Sequence, residues 1–148
     1  MKKRFKYSKK VLFISLSSVL LMMGITWYVY YVEAMFGAAG VVVVLCWFVF
    51  IATACFVPLY YVKCENGINL RLLCFSVNYP FSKYEMEIVE LKENDMIRLF
   101  GSGGFLGYFG YFHQKKIGNF LLFCTAENKR YIKLTCKLNK KIVMIEEL

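Results

Sequence analysis

Residues 11–32 read VLFISLSSVLLMMGITWYVYYV, and residues 34–62 continue as AMFGAAGVVVVLCWFVFIATACFVPLYYV, with only Glu33 between the two apolar runs. The first run has 22 residues, which in a helix extend about 33 Å and cover a hydrocarbon core of roughly 30 Å. Backbone groups at that depth must be paired within their own segment, so both runs are predicted to be helices. The sequence therefore predicts a two-helix transmembrane hairpin over residues 11–62, preceded by a basic tail at residues 1–10.

The distribution of positive charge predicts the orientation of this hairpin. Six of the first ten residues are Lys or Arg, whereas the break around Glu33 has none. By the positive-inside rule, both termini are expected in the cytoplasm, in a multi-pass protein of the inner (cytoplasmic) membrane. A cleaved secretory signal is the alternative for the first run. That run, however, exceeds the roughly 7–15 apolar residues of a signal core and ends in bulky side chains where a signal has small ones.

The remaining residues, 63–148, are predicted to form short strands. Asn66-Gly67 is a strong type I′ hairpin-turn signal, and apolar residues alternate with other residues from Ile68 to Cys74. Further strands are predicted at Met96–Phe100, Asn119–Thr125, Tyr131–Cys136 and Lys141–Ile145. The pattern does not choose between strand and helix for Ser82–Glu93. The predicted fold class is α+β, with the transmembrane hairpin followed by a small antiparallel β-barrel or sandwich.

The most distinctive window is RLFGSGGFLGYFGYF at residues 98–112. A phosphate-binding loop is one interpretation, but a P-loop ends in Gly-Lys-Ser/Thr before a helix, and a dinucleotide fingerprint lies between a strand and an apolar helix. Neither pattern is present. The window is instead predicted to be structural, with glycines at bulges and tight corners where the backbone needs a positive φ or a close approach. Its candidate positions are Arg98, Gly101, Gly103, Gly104, Gly107 and Gly110.

The same window, followed by KIGNF at residues 116–120 and AENKR at residues 126–130, resembles the bacterial pleckstrin-homology-like (PH-like) domains of small membrane proteins. The similarity covers roughly Val62 to Ile145. It implies a partly open β-barrel of two near-orthogonal antiparallel sheets, closed at one end by a helix. Only three residues follow Ile145, too few for such a helix. We therefore expect Ser82–Glu93, the membrane anchor or a partner subunit to cover that opening.

Neither catalysis nor metal binding is indicated. His113 is the only histidine and Asp95 the only aspartate, and neither belongs to a recognisable nucleophile motif. The six cysteines include no Cys-x-x-Cys pair, so a zinc site is not expected, and in a reducing cytoplasm the thiols are predicted to be small core side chains. The chain is therefore predicted to be non-enzymatic, with no cofactor and no metal.

Positive charge is concentrated in the C-terminal half of the β domain. Residues 115–141 contain eight Lys or Arg against Glu127 alone. The candidate lipid-facing or partner-facing residues are Lys115, Lys116, Lys129, Arg130, Lys137, Lys140 and Lys141. The anchor would hold them near the inner leaflet, where anionic lipid attracts cations over a Debye length of about 8–10 Å. The alternative is that they are ordinary solvated lysines of turns.

These observations predict a membrane-anchored PH-like binding module at the cytoplasmic face. Its expected ligands are anionic lipid head groups or a protein partner, which includes a second copy of the chain, and nucleic acid is not expected. The alternative is a small accessory subunit of a larger membrane complex, in which the helix hairpin makes the contacts. The spans contain no internal charge, so an ion or proton path through them is not indicated.

Overall fold

A computed structural model describes residues 2–32, 38–91, 96–126 and 130–147 of the chain. Within these ranges the chain forms two helices and ten strands. The elements are β1 (Lys2–Arg4), α1 (Lys9–Val32), α2 (Ala38–Cys55), β2 (Pro58–Cys64), β3 (Gly67–Leu72), β4 (Ser76–Pro80), β5 (Tyr84–Glu90), β6 (Met96–Gly103), β7 (Tyr108–Gln114), β8 (Gly118–Cys124), β9 (Arg130–Cys136) and β10 (Ile142–Glu146). Two helices followed by a sheet-rich domain confirm the predicted α+β class.

α1 begins two residues before the predicted Val11, because Ser8 caps it. The Ser8 hydroxyl accepts a hydrogen bond from the Val11 N–H at 3.2 Å, which satisfies one of the unpaired donors of the first turn. The 24 residues of α1 extend about 36 Å. Of the described helices, α1 alone is long and apolar enough to be a candidate membrane span, and α2 is shorter. The predicted break at Glu33 lies outside the described residues.

The prediction that Ala34–Val62 forms one helix is wrong at its C-terminal end. α2 ends at Cys55 and β2 begins at Pro58. The helix closes with a tightened turn, in which the Val57 N–H bonds to the Ala54 carbonyl at 3.1 Å. Pro58 cannot extend the helix, because it has no N–H and its ring would clash with the carbonyl four residues earlier. The final residues of the predicted span therefore belong to a sheet.

The predicted basic tail also contains a strand. Lys2–Arg4 pairs antiparallel with residues 60–62 of β2, and Phe5 is buried with its ring centroid 5.9 Å from that of Tyr61. β1 precedes α1 and β2 follows α2, so this sheet takes strands from both sides of the helix pair. The predicted boundaries at residues 10 and 62 therefore divide one sheet, whose strand order is β1-β2-β3-β4.

The predicted hairpin near Asn66 is present, but its turn lies one residue earlier than expected. Cys64 pairs with Gly67, so the connecting residues are Glu65 and Asn66. Neither residue has a positive φ, which a type I′ turn requires at both central positions. Gly67 lies opposite Pro80 of β4, where a side chain would collide with the β4 backbone. The close approach of β4 therefore explains this glycine.

The second sheet has six strands in the order β5-β9-β10-β8-β7-β6. The open question over Ser82–Glu93 is answered by β5. β10 lies between β8 and β9, parallel to β8 and antiparallel to β9, so the expectation of wholly antiparallel sheets is wrong at this pair. Among the described residues, no strand pair joins the two sheets. The domain is therefore two packed sheets and not a closed barrel.

The six-stranded sheet buries apolar residues on both of its faces, whereas much of its edge strands β5 and β6 is exposed. One face packs on the four-stranded sheet through residues that include Ile68, Leu70, Leu134 and Ile145. The other face carries Phe120, Leu122, Tyr131 and Met144, each at most 2% exposed.

The edge strands β5 and β6 are joined by only five residues, which reach about 20 Å, whereas six flat strands are about 24 Å across. The sheet is therefore curled around its second apolar cluster.

Candidate functional site

The helices attach to one end of the β domain, which we call the helix end. There the connection between β6 and β7 packs against both helices. The Leu106 N–H donates a hydrogen bond to the Ser15 hydroxyl of α1 at 2.8 Å, and the ring of Phe105 lies 4.2 Å from that of Phe50 in α2. Ser15 and Phe50 both lie more than one turn inside their helices. The tip of the β6–β7 hairpin therefore lies beside the helix pair.

A buried carboxylate makes the second attachment. Glu146, the last residue of β10, is 1% exposed and accepts hydrogen bonds from the N–H groups of Thr125 at 2.8 Å and Ala126 at 3.3 Å. Thr125 in turn bonds to the segment before α1, because its carbonyl accepts from the Ser8 N–H and its hydroxyl donates to the Lys6 carbonyl, both at 3.1 Å. Glu146 thereby fixes the point where α1 leaves the domain. Sequence reasoning missed it, because one acid near a strand end forms no pattern.

Cys124 lies beside this carboxylate. Burial, together with the neighbouring charge of Glu146, raises the pKa of the Cys124 thiol. The thiol donates to the Ala126 carbonyl at 2.6 Å. Since the thiolate is the reactive form, a thiol held protonated in this way is a poor nucleophile. The predicted core role fits Cys124 and Cys136, which are buried, but not Cys46, Cys64 and Cys74, which are exposed.

Five of the predicted basic residues lie at the opposite end of the domain, which we call the far end. They are Lys115 and Lys116 in the β7–β8 turn and Lys137, Lys140 and Lys141 after β9, all exposed. Since β8 and β10 are parallel neighbours, these two turns lie at the same edge of the sheet. The structure thus brings the five lysines together, but about one strand length, roughly 20 Å, from the helix end. The five lysines therefore form one group at the far end, separate from the residues that contact the helices.

The other two predicted basic residues do not join this group. Arg130 begins β9, and its Nε lies 3.1 Å from a carboxylate oxygen of Glu147. Arg130 is exposed and Glu147 is partly buried, and pairs near the surface contribute about 0–1 kcal/mol. Lys129 lies outside the described residues.

The glycine window forms most of β6 and β7. The sequence pattern does not predict β7, because glycines among aromatic residues indicate corners. Gly101 and Gly110 lie opposite each other in the ladder, with φ values of +118° and +128°. A side chain on Gly101 would collide with the Phe109 carbonyl, and one on Gly110 with the Phe100 carbonyl. These two glycines therefore allow a close approach of the strands. The register also shifts between Arg98 and Phe100, so the irregularity in this ladder lies at Leu99 and not at one of the predicted glycines.

Positive φ does not extend to every glycine of the window. Gly104 and Gly107, in the β6–β7 connection, have φ values of +126° and +127°. Gly103 does not have a positive φ, so of the two predicted reasons for glycine only a close approach applies there. Its α-carbon is covered by the side chain of Arg98. Glycine is required at position 103 because the Arg98 side chain packs directly against it and leaves no room for a Cβ atom.

Metal-binding groups do not cluster in residues 2–32, 38–91, 96–126 and 130–147, where no three His, Cys, Asp or Glu side chains come together. His113 lies on the sheet surface. Its Nδ1 is 2.7 Å from Oδ1 of Asn119, its partner across the β7–β8 ladder. This contact gives His113 a role in strand pairing.

The fold defines a class of protein in which a small two-sheet β domain is joined to a pair of apolar helices. Within that class, the chain belongs to the bacterial PH domain family, whose sequence model matches residues 59–146. The match covers β2 to β10 and confirms the predicted resemblance, while β1 and both helices lie outside it. No curated protein and no solved structure shows significant similarity to the chain.

Proposed function

We propose that the protein is a membrane-anchored PH-like binding module, held at the cytoplasmic face by an α1–α2 hairpin that crosses the membrane twice. The pairing of β1 with β2 carries this proposal. Lys2, Lys3 and Arg4 are paired with Val62, Tyr61 and Tyr60. Since one strand precedes the helices and the other follows them, the chain must enter and leave the helix pair on the same side of the membrane. A crossing by α1 therefore requires a return by α2.

Contacts within the helix pair support this proposal. The Trp47 indole N–H of α2 donates to the Thr26 hydroxyl of α1 at 2.9 Å, a polar link typical of helices associating in lipid. Large side chains of both helices are exposed, among them Leu16, Leu20, Val44, Phe48 and Ile51. Hydrocarbon would cover this apolar surface, which is far larger than the patches that soluble proteins leave in water. The 18 residues of α2 extend about 27 Å, close to the thickness of a hydrocarbon core.

The orientation follows from the charges on the domain side of the helices. Four cations precede α1, two more lie in its first turn, and Lys63 follows α2, whereas the break around Glu33 has no Lys or Arg. The positive-inside rule then favours a cytoplasmic β domain.

Thiol labelling in intact cells tests this topology. In a background without the native cysteines, Glu33→Cys is expected to react with a membrane-impermeant maleimide, and Lys116→Cys only after the cells are opened. Labelling of Lys116→Cys in intact cells would reverse the orientation. Recovery of the chain in the soluble fraction would reject the anchor.

An accessory subunit of a membrane complex is the second candidate, favoured by one surface. The edge hairpin of β6 and β7 exposes Ile97, Leu99, Phe100 and Tyr111, which are 54–77% exposed. An unpaired edge strand with apolar side chains is a site for association. Mass measurement after mild detergent extraction distinguishes the two candidates. A stable hetero-complex supports the subunit role, and a monomer supports the binding module.

A further inference from the structure

Two arginines flank a tyrosine on the outer face of the four-stranded sheet. Arg4, Tyr60, Arg71 and Ser76 occupy one row across β1 to β4. The adjacent Tyr61 is 2% exposed in the core, so Tyr60 and its row face outward. Directly opposite residues have Cβ atoms about 4.5–5.5 Å apart. Arg4 and Arg71 therefore lie on either side of Tyr60, two strand spacings or about 10 Å from each other.

A third cation joins this row. The Lys2 ammonium lies 4.0 Å from the centroid of the Tyr60 ring, in a cation–π contact. The salt bridges Arg130–Glu147 and Lys133–Glu87 lie in the other sheet, and Lys2, Arg4 and Arg71 take part in neither. Like charges this close repel one another. The arrangement favours an anionic occupant.

The surface beside Tyr60 is concave. An open cavity of about 370 Å³ is lined by Tyr60, Val62, Cys64, Asn69, Arg71 and Ser76. Arg71 is the cation of the row that lines this cavity, and Arg4 and Lys2 come from the neighbouring strand β1. An arginine guanidinium binds phosphate oxygens in a bidentate manner. The hydroxyl groups of Tyr60 and Ser76 and the amide of Asn69 add neutral donors. The pocket therefore presents donors around one anionic group.

The row lies at the helix end of the domain. β2 begins three residues after α2 ends, and the Leu73 N–H bonds to the Val57 carbonyl at 2.9 Å. Between the helix and the row lie three exposed apolar side chains, Phe56, Leu73 and Phe75, with the two phenylalanine rings 5.4 Å apart. A head-group region is about 5–8 Å thick on each side of the hydrocarbon. Going from α2 toward the row, the three apolar side chains come first and the cations second. A lipid has the same order, with its acyl chains first and its phosphate second.

We infer that the Arg4–Tyr60–Arg71 row binds the phosphate group of an anionic membrane lipid, next to the point where α2 leaves the membrane. The inference rests on the proposed membrane anchor. It assigns lipid contact to residues at the helix end, whereas the basic turns at the far end remain free for the cytoplasm.

A titration of the full chain in neutral detergent micelles tests the site. Short-chain phosphatidylglycerol is added, and binding is followed by the amide resonances of residues 60 and 71, with short-chain phosphatidylcholine and inorganic phosphate as comparison ligands. Each cation near an anionic surface changes affinity about fivefold. Arg4→Gln together with Arg71→Gln is therefore expected to weaken phosphatidylglycerol binding about 25-fold. The matched control, Lys115→Gln with Lys116→Gln, removes the same charge at the far end and is expected to change it less than twofold.

A single substitution separates charge from geometry. Arg71→Lys keeps the charge but loses the bidentate fork, so it is expected to weaken phosphatidylglycerol binding severalfold. Because this change is conservative, Arg71→Lys is expected to fold, and it tests the site even if the double variant does not fold. Unchanged binding in Arg71→Lys, or equal losses from the helix-end and far-end pairs, would overturn the site, since net charge alone would then explain the attraction.

The comparison ligands identify the source of the phosphate. Inorganic phosphate that binds as tightly as phosphatidylglycerol would overturn the assignment to lipid, as would equal binding of phosphatidylcholine. The titration does not depend on the anchor, because it uses micelles and a short-chain lipid. Recovery of the chain in the soluble fraction would therefore reject the proposed function. The phosphate site would still be tested by the titration alone.

Discussion

The two ends of the β domain use their buried polar groups differently. At the helix end, the Glu146 carboxylate accepts hydrogen bonds from two backbone N–H groups, and the Ser15 hydroxyl pairs with Leu106. At the far end, the Oε1 atom of Gln114 is buried and has no hydrogen-bond partner among the described residues, and the nearby lysines are exposed. At the helix end these buried polar groups are paired, whereas the far-end contacts, such as the bond from Lys137 Nζ to the Phe81 carbonyl at 3.1 Å, are exposed.

Two matched glycine substitutions should give the largest difference between the ends. Gly110→Ala places a Cβ against the Phe100 carbonyl at a φ of +128°, in the hairpin that packs on the helices. Gly118→Ala, at the far end, also has a positive φ of +85° but meets no atom within 4 Å. We expect the free energy of unfolding to fall by about 3 kcal/mol or more for Gly110→Ala and by about 1 kcal/mol for Gly118→Ala. Chemical denaturation in detergent measures both, and equal losses would contradict the close approach at Gly110.

Buried polar groups should give the next largest difference. Glu146→Leu leaves the N–H groups of buried Thr125 and partly buried Ala126 without this partner, and we expect a loss of about 2–3 kcal/mol in unfolding free energy. Gln114→Leu removes a buried carbonyl oxygen that has no partner in the described chain, so its expected cost is under about 1 kcal/mol. The same denaturation experiment compares them. A larger loss of unfolding free energy for Gln114→Leu than for Glu146→Leu would contradict the conclusion that buried polar contacts stabilise mainly the helix end.

The smallest effect is expected for the far-end lysines. Lys115→Gln, Lys116→Gln and Lys141→Gln together remove three exposed charges, and exposed charges contribute little to stability. We expect the free energy of unfolding to change by less than about 0.5 kcal/mol, as measured by thermal or urea unfolding. A loss above about 1 kcal/mol would indicate that these turns contact another part of the protein or a second copy.

Much of the fold was predictable from local pattern. β3, β8, β9 and β10 were recognised because each is an alternating or apolar run bounded by polar residues. β1 and β2 were not, for two physical reasons. Lys2–Arg4 has the composition of a solvated tail, and the start of β2 is as apolar as the helix before it, so hydropathy gives no boundary between them. Pro58 was the one local signal that a helix could not continue.

The candidate site was less predictable than the fold. The far-end lysines were identified because they are dense in the sequence, and their meeting at one rim follows from short turns. The Arg4–Tyr60–Arg71 row has no such signature, since its members come from three strands. One of these strands, β1, precedes the two helices in the sequence, and the other two follow them. Only the pairing of β1 with β2 and of β2 with β3 brings them together.

The position of β10 has a consequence for the order in which the protein is made. β10 follows β8 and β9 along the chain but lies between them in the sheet. Ribosomes add about 5–20 residues per second, so β9 emerges roughly one second before the strand that joins it to β8. All four strands of the first sheet, and both helices, precede β5 in the chain. Synthesis therefore releases the four-stranded sheet and both helices first, and the second sheet stays divided until its central strand arrives.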